Sequence, residues 1–189
     1  MTWSPIITLR TTPVLLFGAV TSAALIIGAH LFERAGFPPC ALCLDQREAH
    51  WTAMAVATAG VIANMTMGAR VAAFACVGAL SLVYALSAGL AFYHTGVEFN
   101  LWPGPVGCSS VGDDVVSIDR LRAGLTEQPQ ETSCNEAPWR LFGVSMAGYN
   151  LLASAGLFTL TFLAATVGPG AGRRSPLATP DQTGSGPSD

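Results

Sequence analysis

The sequence predicts an all-α membrane protein: a four-transmembrane-helix bundle with two extracytoplasmic cysteine loops. Three observations predict it. The 189 residues are 51% hydrophobic and only 11% charged, where a soluble domain carries roughly 25% charged residues. Four stretches without a charged side chain are long enough to cross a bilayer, which takes about 20 apolar residues as helix. Four of the five cysteines fall in pairs between those stretches. Arginine supplies all nine basic residues, and twelve acids leave a net charge of −3. No basic excess exists to hold a phosphate backbone, so nucleic acid is excluded as a partner.

The first span is Pro13–Phe32. It exceeds a usual signal core, and Arg10 is its only basic flank, so a retained span is expected rather than a cleaved signal peptide. An outer loop covers 33–48, and the second span is Ala49–Met67. Only Gly68–Arg70 separate it from the third span, Val71–Tyr93, which requires a tight hairpin. A long outer loop covers 94–140, and the fourth span is Leu141–Val167. The membrane domain is thus 1–167. The remaining tail, 168–189, is rich in Gly, Pro, Ser and Thr and is expected to be disordered and cytoplasmic. Gly, Ala and Ser recur in all four spans, where they let helices approach closely in lipid. Barrel strands would alternate and run shorter, and a soluble helical core would show a polar face on each helix.

An even number of spans places both termini on one side. The inner segments hold Arg10, Arg70, Arg173 and Arg174, and the outer loops hold Arg34, Arg47, Arg120, Arg122 and Arg140. Raw count does not decide orientation, but three of the five outer arginines lie in the long loop, where charge influences translocation little. Cytoplasmic termini are expected. The cysteines give independent support: both pairs fall on the outer side and none in an inner segment, as an oxidising compartment predicts. Cys76, within the third span, is expected to pack as a small apolar residue.

Cys40-Ala41-Leu42-Cys43 is a C-x-x-C motif just before the second span, which puts Cys43 near a helix N-terminus. The dipole and free amides there stabilise a thiolate. Arg47 follows Cys43 by four residues and shares its helix face. His94 closes the third span at about the same depth. Trp102, Trp139 and Tyr93 suit an interfacial aromatic belt, and His30 and His50 carry no signal. In the long loop, Cys108 and Cys134 enclose Ile118, Leu121 and Leu125 at helical spacing, which suits a short amphipathic helix on the bilayer or packing against the loop itself. Zinc is an alternative for four cysteines, but the wide second spacing and the lack of a His-x-His cluster disfavour it. A purely structural C-x-x-C disulfide closes too small a ring to stabilise much.

A dithiol at a membrane surface needs a terminal electron acceptor. A quinone dissolved in the bilayer fits, because two thiols yield the two electrons and two protons that convert quinone to quinol. Cys43 would engage the ring, Arg47 and His94 would stabilise negative charge on its oxygens, Cys40 would close the disulfide, and Cys108 and Cys134 would collect electrons from a soluble donor.

Pro39-Cys40-Ala41-Leu42-Cys43-Leu44-Asp45-Gln46-Arg47, then Tyr93-His94-Thr95 with Leu101-Trp102-Pro103-Gly104-Pro105, then Cys108, and Cys134 with Trp139 and Phe142-Gly143, resemble the disulfide bond formation protein B (DsbB) family from about Gly36 to Met146. The resemblance implies a multi-pass protein of the bacterial inner membrane, with both termini cytoplasmic and the cysteine loops periplasmic. It implies reoxidation of a periplasmic thioredoxin-fold oxidase (DsbA-like) at the expense of ubiquinone or menaquinone. By the same resemblance, Cys108 receives the partner's thiolate, Cys134 pairs transiently with Cys40, Cys43 engages quinone, and Arg47 and His94 belong to the quinone site. Asp45 stands where relatives often carry an aromatic residue and is expected to neutralise Arg47 in part.

Three other readings remain. One moves electrons the other way, reducing periplasmic disulfides from the cytoplasm, which needs cysteines accessible from both faces, and only Cys76 is a candidate. A vitamin K epoxide reductase-like thiol oxidase shares the reaction class, but its shuttle pair would precede the C-x-x-C. A non-enzymatic scaffold braced by disulfides predicts that no thiol turns over.

Overall fold

The computed structural model describes residues 5–66, 70–105 and 133–166. Four helices carry the fold: α1 (Pro5–Arg34), α2 (Ala41–Thr66), α3 (Arg70–Glu98) and α4 (Met146–Thr166), with a two-stranded hairpin, β1 (Arg140–Leu141) and β2 (Val144–Ser145), just before α4. Three of them contain segments long and apolar enough to cross a membrane: Thr11–Arg34, Val71–Glu98 and Met146–Thr166. The α2 sequence is the least apolar, because Asp45, Gln46, Arg47, Glu48 and His50 fill its first turns and Asn64 lies near its end.

The helices outrun the apolar stretches that mark them. Instead of starting near Ala49, α2 starts at Ala41, and α3 runs past Tyr93 to Glu98. Apolarity marks where lipid can touch a helix, whereas backbone hydrogen bonding continues until a cap stops it. One cap ends α1: Phe37 N–H donates to the Phe32 carbonyl and Gly36 N–H to that of Glu33, with Gly36 at φ +96°. This is a Schellman motif, sealed by the Phe32–Phe37 ring contact at 6.0 Å and followed by Pro38-Pro39. The same pattern ends α3, with Leu101 N–H on Gly96 O, Asn100 N–H on Val97 O, and Asn100 at φ 54°.

At the fourth stretch the difference runs the other way. The helix was expected from Leu141, but Arg140 pairs with Ser145 and Leu141 with Val144 across a two-residue turn, Phe142-Gly143, in which both φ values are positive. That turn matches the twist of a hairpin and breaks a helix. Ser145 then caps α4, its Oγ accepting the Gly148 N–H at 3.1 Å.

In the bundle, α3 packs on α4 and α2, and α2 on α1. Leu15, Ala53, Ala57, Val77, Leu80 and Leu157 form the buried apolar core, with Cys76 packed against it as expected for a small apolar residue. Gly60 permits the close approach: a Cβ there would lie 2.8 Å from Cys76 Cβ and 2.9 Å from Leu15 Cδ1. Outside, Leu16, Phe17, Leu82, Phe92 and Leu163 are exposed, while Ser22, His50, Ser87, Ser154 and Thr161 are buried. Apolar outside and hydrogen-bonded polar inside is the arrangement a lipid solvent favours. The expected turn at Gly68–Arg70, the helical stretch near Ile118–Leu125 and the tail 168–189 fall on or across residues outside the described ones.

Candidate functional site

The site forms where the start of α2 meets the ends of α1 and α3. Pro38-Pro39 delivers the chain extended into Cys40, which caps α2: its Sγ accepts the Cys43 N–H at 3.3 Å. Cys43 therefore lies in the first helical turn, as the motif's position predicts. Both thiols are free, Cys40 being buried and Cys43 half-buried. The Cys40 thiol donates to Cys43 Sγ at 2.8 Å. That hydrogen bond, with burial behind it, drives the Cys40 thiol well above its ordinary range. The same bond lowers Cys43 from its ordinary range; burial opposes the shift, and, with smaller effect, the Glu98 charge opposes and Arg47 assists. The pair is thus asymmetric: Cys43 is the thiolate and Cys40 holds the proton. Sequence spacing credits Arg47 and the helix end with activating Cys43, whereas the largest influence is its own motif partner.

Arg47 shares the Cys43 face, but its ion-pair partner is not Asp45. Arg47 Nη1 lies 2.7 Å from Glu33 Oε2, and Nη2 donates to the Ala29 carbonyl at 3.4 Å. Positions two apart on a helix point to different sides, so Asp45 is exposed while Glu33 arrives from the last turn of α1.

His94 reaches the dithiol from α3. It is 3% exposed, with Nε2 at 3.6 Å from Cys40 Sγ and 3.8 Å from Glu98 Oε1. Gln46 Nε2 donates to its Nδ1 at 2.9 Å, which fixes the ring proton on Nε2, toward the sulfur. A buried polar chain continues from there. Asn150 donates to Gln46 Oε1 at 2.6 Å and His50 Nε2 donates to Asn150 Oδ1 at 2.8 Å. Ser22 Oγ lies 3.2 Å from His50 Nδ1 and 2.9 Å from the Tyr84 hydroxyl, which donates to the Gly18 carbonyl at 2.9 Å.

Cys40, Cys43, Gln46, Arg47, His50, His94 and Asn150 edge a cavity of about 340 Å³ whose other walls include Leu25, Ile26, Phe32 and Trp139. Trp139 packs on Phe32 with centroids 4.9 Å apart, so it serves the cavity wall. Trp102 stacks on Tyr93 and donates to its carbonyl at 2.8 Å. Beneath the dithiol, Cys40, Leu42, Val97 and Cys134 form a second buried cluster, in which Cys134 is disulfide-bonded. Cys108 lies outside the described residues.

Of the residues singled out from sequence, Cys40, Cys43, Cys134, Arg47 and His94 are brought together. Glu33, Gln46, His50, Glu98 and Asn150 were missed. Three had a readable signal: Gln46 and His50 are the polar members of the α2 stripe that continues through Ala53, Ala57, Gly60 and Asn64, and Glu98 follows His94 at i+4. The Cys40, Cys43 and His94 donor atoms lie within 4.8 Å of one another, which also describes a metal-ligand set. No curated protein and no solved structure matches the chain. A family model described as Disulfide bond formation protein DsbB matches residues 11–164, and the chain belongs to the DsbB family, membrane proteins of disulfide bond formation that are associated with oxidoreductase activity and generally linked to quinone.

Proposed function

We propose that this protein is a membrane thiol:quinone oxidoreductase that reoxidises a periplasmic thioredoxin-fold disulfide oxidase (DsbA-like) and passes the electrons to ubiquinone or menaquinone. The observation that carries the reading is an asymmetric dithiol opening into an apolar-walled cavity with a cation at its edge. A flat apolar ring with two polar oxygens suits such a cavity. When bound there, quinone supplies an acceptor for two electrons and two protons.

The protein's residues divide the work. Cys43, held as thiolate, delivers the electrons, and Cys40 closes the disulfide with it. The Arg47 guanidinium and His94 would hold quinone oxygens. Cys108 receives the partner's thiolate, and Cys134 passes the oxidising equivalent on through Cys40. The membership of Cys40 and Cys134 in one buried cluster supports that last exchange.

All four helices span the membrane in this reading. Beyond the outer loop, residues 49–66 of α2 reach about 27 Å at about 1.5 Å per residue, close to the hydrocarbon thickness of about 30 Å, and α2 packs between α1 and α3. The loops 33–48 and 94–140 are periplasmic, both termini and the tail 168–189 are cytoplasmic, and the host membrane is the bacterial inner membrane. The paired outer cysteines and the arginine distribution support that orientation.

The test uses the full chain in detergent with a reduced thioredoxin-fold oxidase and a short-chain quinone, following quinone absorbance. Turnover should vanish in Cys43→Ser. In Arg47→Ala the apparent KM for quinone should rise while disulfide exchange with the partner persists. No turnover with several donors and quinones, despite intact disulfides, overturns the assignment in favour of a scaffold.

A further inference from the structure

Glu98 lines the same cavity, yet neither the disulfide exchange nor the quinone contacts assigned above use it. It ends α3 one turn beyond His94 and is 7% exposed. Its Oε1 stands 3.8 Å from His94 Nε2, and its Oε2 has no hydrogen-bond partner among the described residues. Among the described residues few groups act on it. Ser145 of β2 and Arg140 of β1 favour its charged form, and its charge opposes that of Cys43 on α2. Arg140 also lies over the Phe99 ring, 5.3 Å from its centroid.

A buried carboxylate oxygen without a donor is costly, and costlier beside a thiolate. Two anions that cannot both be ionised cheaply share one proton. The proton that leaves Cys43 therefore has an acceptor in the same cavity. We propose, resting on the thiol:quinone reading, that Glu98 Oε2 takes the thiol proton of Cys43 and delivers it to quinone oxygen as the dithiol is oxidised. The Cys43 S–H bond breaks and an O–H bond forms on Glu98. Two electrons leave as the Cys40 Sγ–Cys43 Sγ bond forms. The proton on Glu98 and the one released by Cys40 complete the quinol, and Glu98 returns to carboxylate. In the reduced enzyme Glu98 is accordingly a neutral acid, and in the oxidised enzyme an anion.

The decisive measurement is infrared difference spectroscopy on the full-length protein in detergent, with the Cys40–Cys43 pair reduced and then oxidised by diamide, with no quinone added. A protonated-carboxyl band should be present in the reduced state, disappear on oxidation, and be missing in Glu98→Gln. A second measurement follows short-chain quinone reduction across pH. Glu98→Gln should slow it about 100-fold, the lower end of what a positioned proton carrier contributes, and should remove one titration from the profile, with Glu98→Asp restoring part of the rate. A wild type without the carboxyl change, a band that survives in Glu98→Gln, or full quinone turnover by a folded Glu98→Gln overturns the proposal. If Glu98→Gln does not fold, a shifted band in Glu98→Asp supports the assignment and an unshifted one overturns it. Failure of wild-type quinone turnover would remove the proposed function instead, and the diamide experiment would still decide the state of Glu98.

Discussion

Replacing Cys40 with alanine should slow alkylation of Cys43 at neutral pH by about 10- to 100-fold, although the attacked sulfur is untouched. The hydrogen bond from the Cys40 thiol at 2.8 Å is the largest influence holding Cys43 below its ordinary range. A hydrogen bond to a charged acceptor contributes about 1.5–3 kcal/mol. Each ~1.4 kcal/mol is a factor of ten in the thiolate population, which gives the range above. Burial disfavours the Cys43 anion whether or not the donor is present, and Arg47 assists it only with smaller effect.

The sign follows from the direction of the shift. A lowered thiol stays ionised as pH falls from the ordinary thiol range to its own value. Removing the donor narrows that window from below, and reactivity should be lost at higher pH than in the wild type. Cys40→Ser is the informative control. Serine keeps both a hydroxyl donor for the thiolate and an acceptor for the Cys43 N–H, as a good N-cap does, and should stay close to wild type. The assay is iodoacetamide labelling of the reduced full-length protein, resolved by peptide mass spectrometry because Cys76 is also free. Equal labelling of wild type and Cys40→Ala, or a Cys40→Ser that falls as far as Cys40→Ala, refutes the reasoning.

Gln46→Leu should cost about 2–5 kcal/mol in thermal or denaturant unfolding, since it strands buried polar groups of His94 and Asn150 at roughly 1–3 kcal/mol each; a change within error would show that the buried polar chain does not hold the site. At Gly96 an added Cβ would lie 1.9 Å from Trp102 Cζ2, whereas at Gly89 it meets nothing within 4 Å. Gly96→Ala should therefore be about 2–4 kcal/mol less stable than Gly89→Ala, from one indole hydrogen bond and the Phe92 and Tyr93 ring contacts, with altered tryptophan fluorescence as a second readout. Glu33→Gln should leave the unfolding midpoint essentially unchanged, because Glu33 is exposed and solvent screens the pair. By releasing Arg47 it should lower the apparent KM for a short-chain quinone, and a raised KM would show that Glu33 positions the guanidinium instead of competing for it.

The sequence by itself determined the solvent and the local placement of the C-x-x-C motif. Charge-free stretches can be satisfied only by helices in lipid, and three described helices meet the length and apolarity to cross it. The placement of Cys40 and Cys43 before the second span, with Arg47 one turn on, is local arithmetic on a helix, and it survives folding unchanged. What the sequence left open depends on contacts between elements far apart in the chain. Asp45 is nearer in sequence to Arg47, but Glu33 is nearer in space, since the end of α1 returns beside the start of α2. His50 carries no signal alone and becomes legible only when Asn150, 100 residues away, meets its ring. Hairpin and helix compete for Leu141, and the positive φ values at Phe142 and Gly143 decide in favour of the hairpin. The activation of Cys43 shows the same division. A helix end and an arginine can be counted along the chain, but the dominant hydrogen bond exists only because Pro38-Pro39 and the α2 cap turn one sulfur toward the other. Partition between water and lipid is additive over residues and so is written in composition; hydrogen-bond partnership and ion pairing depend on distance in space, which only the packed bundle sets.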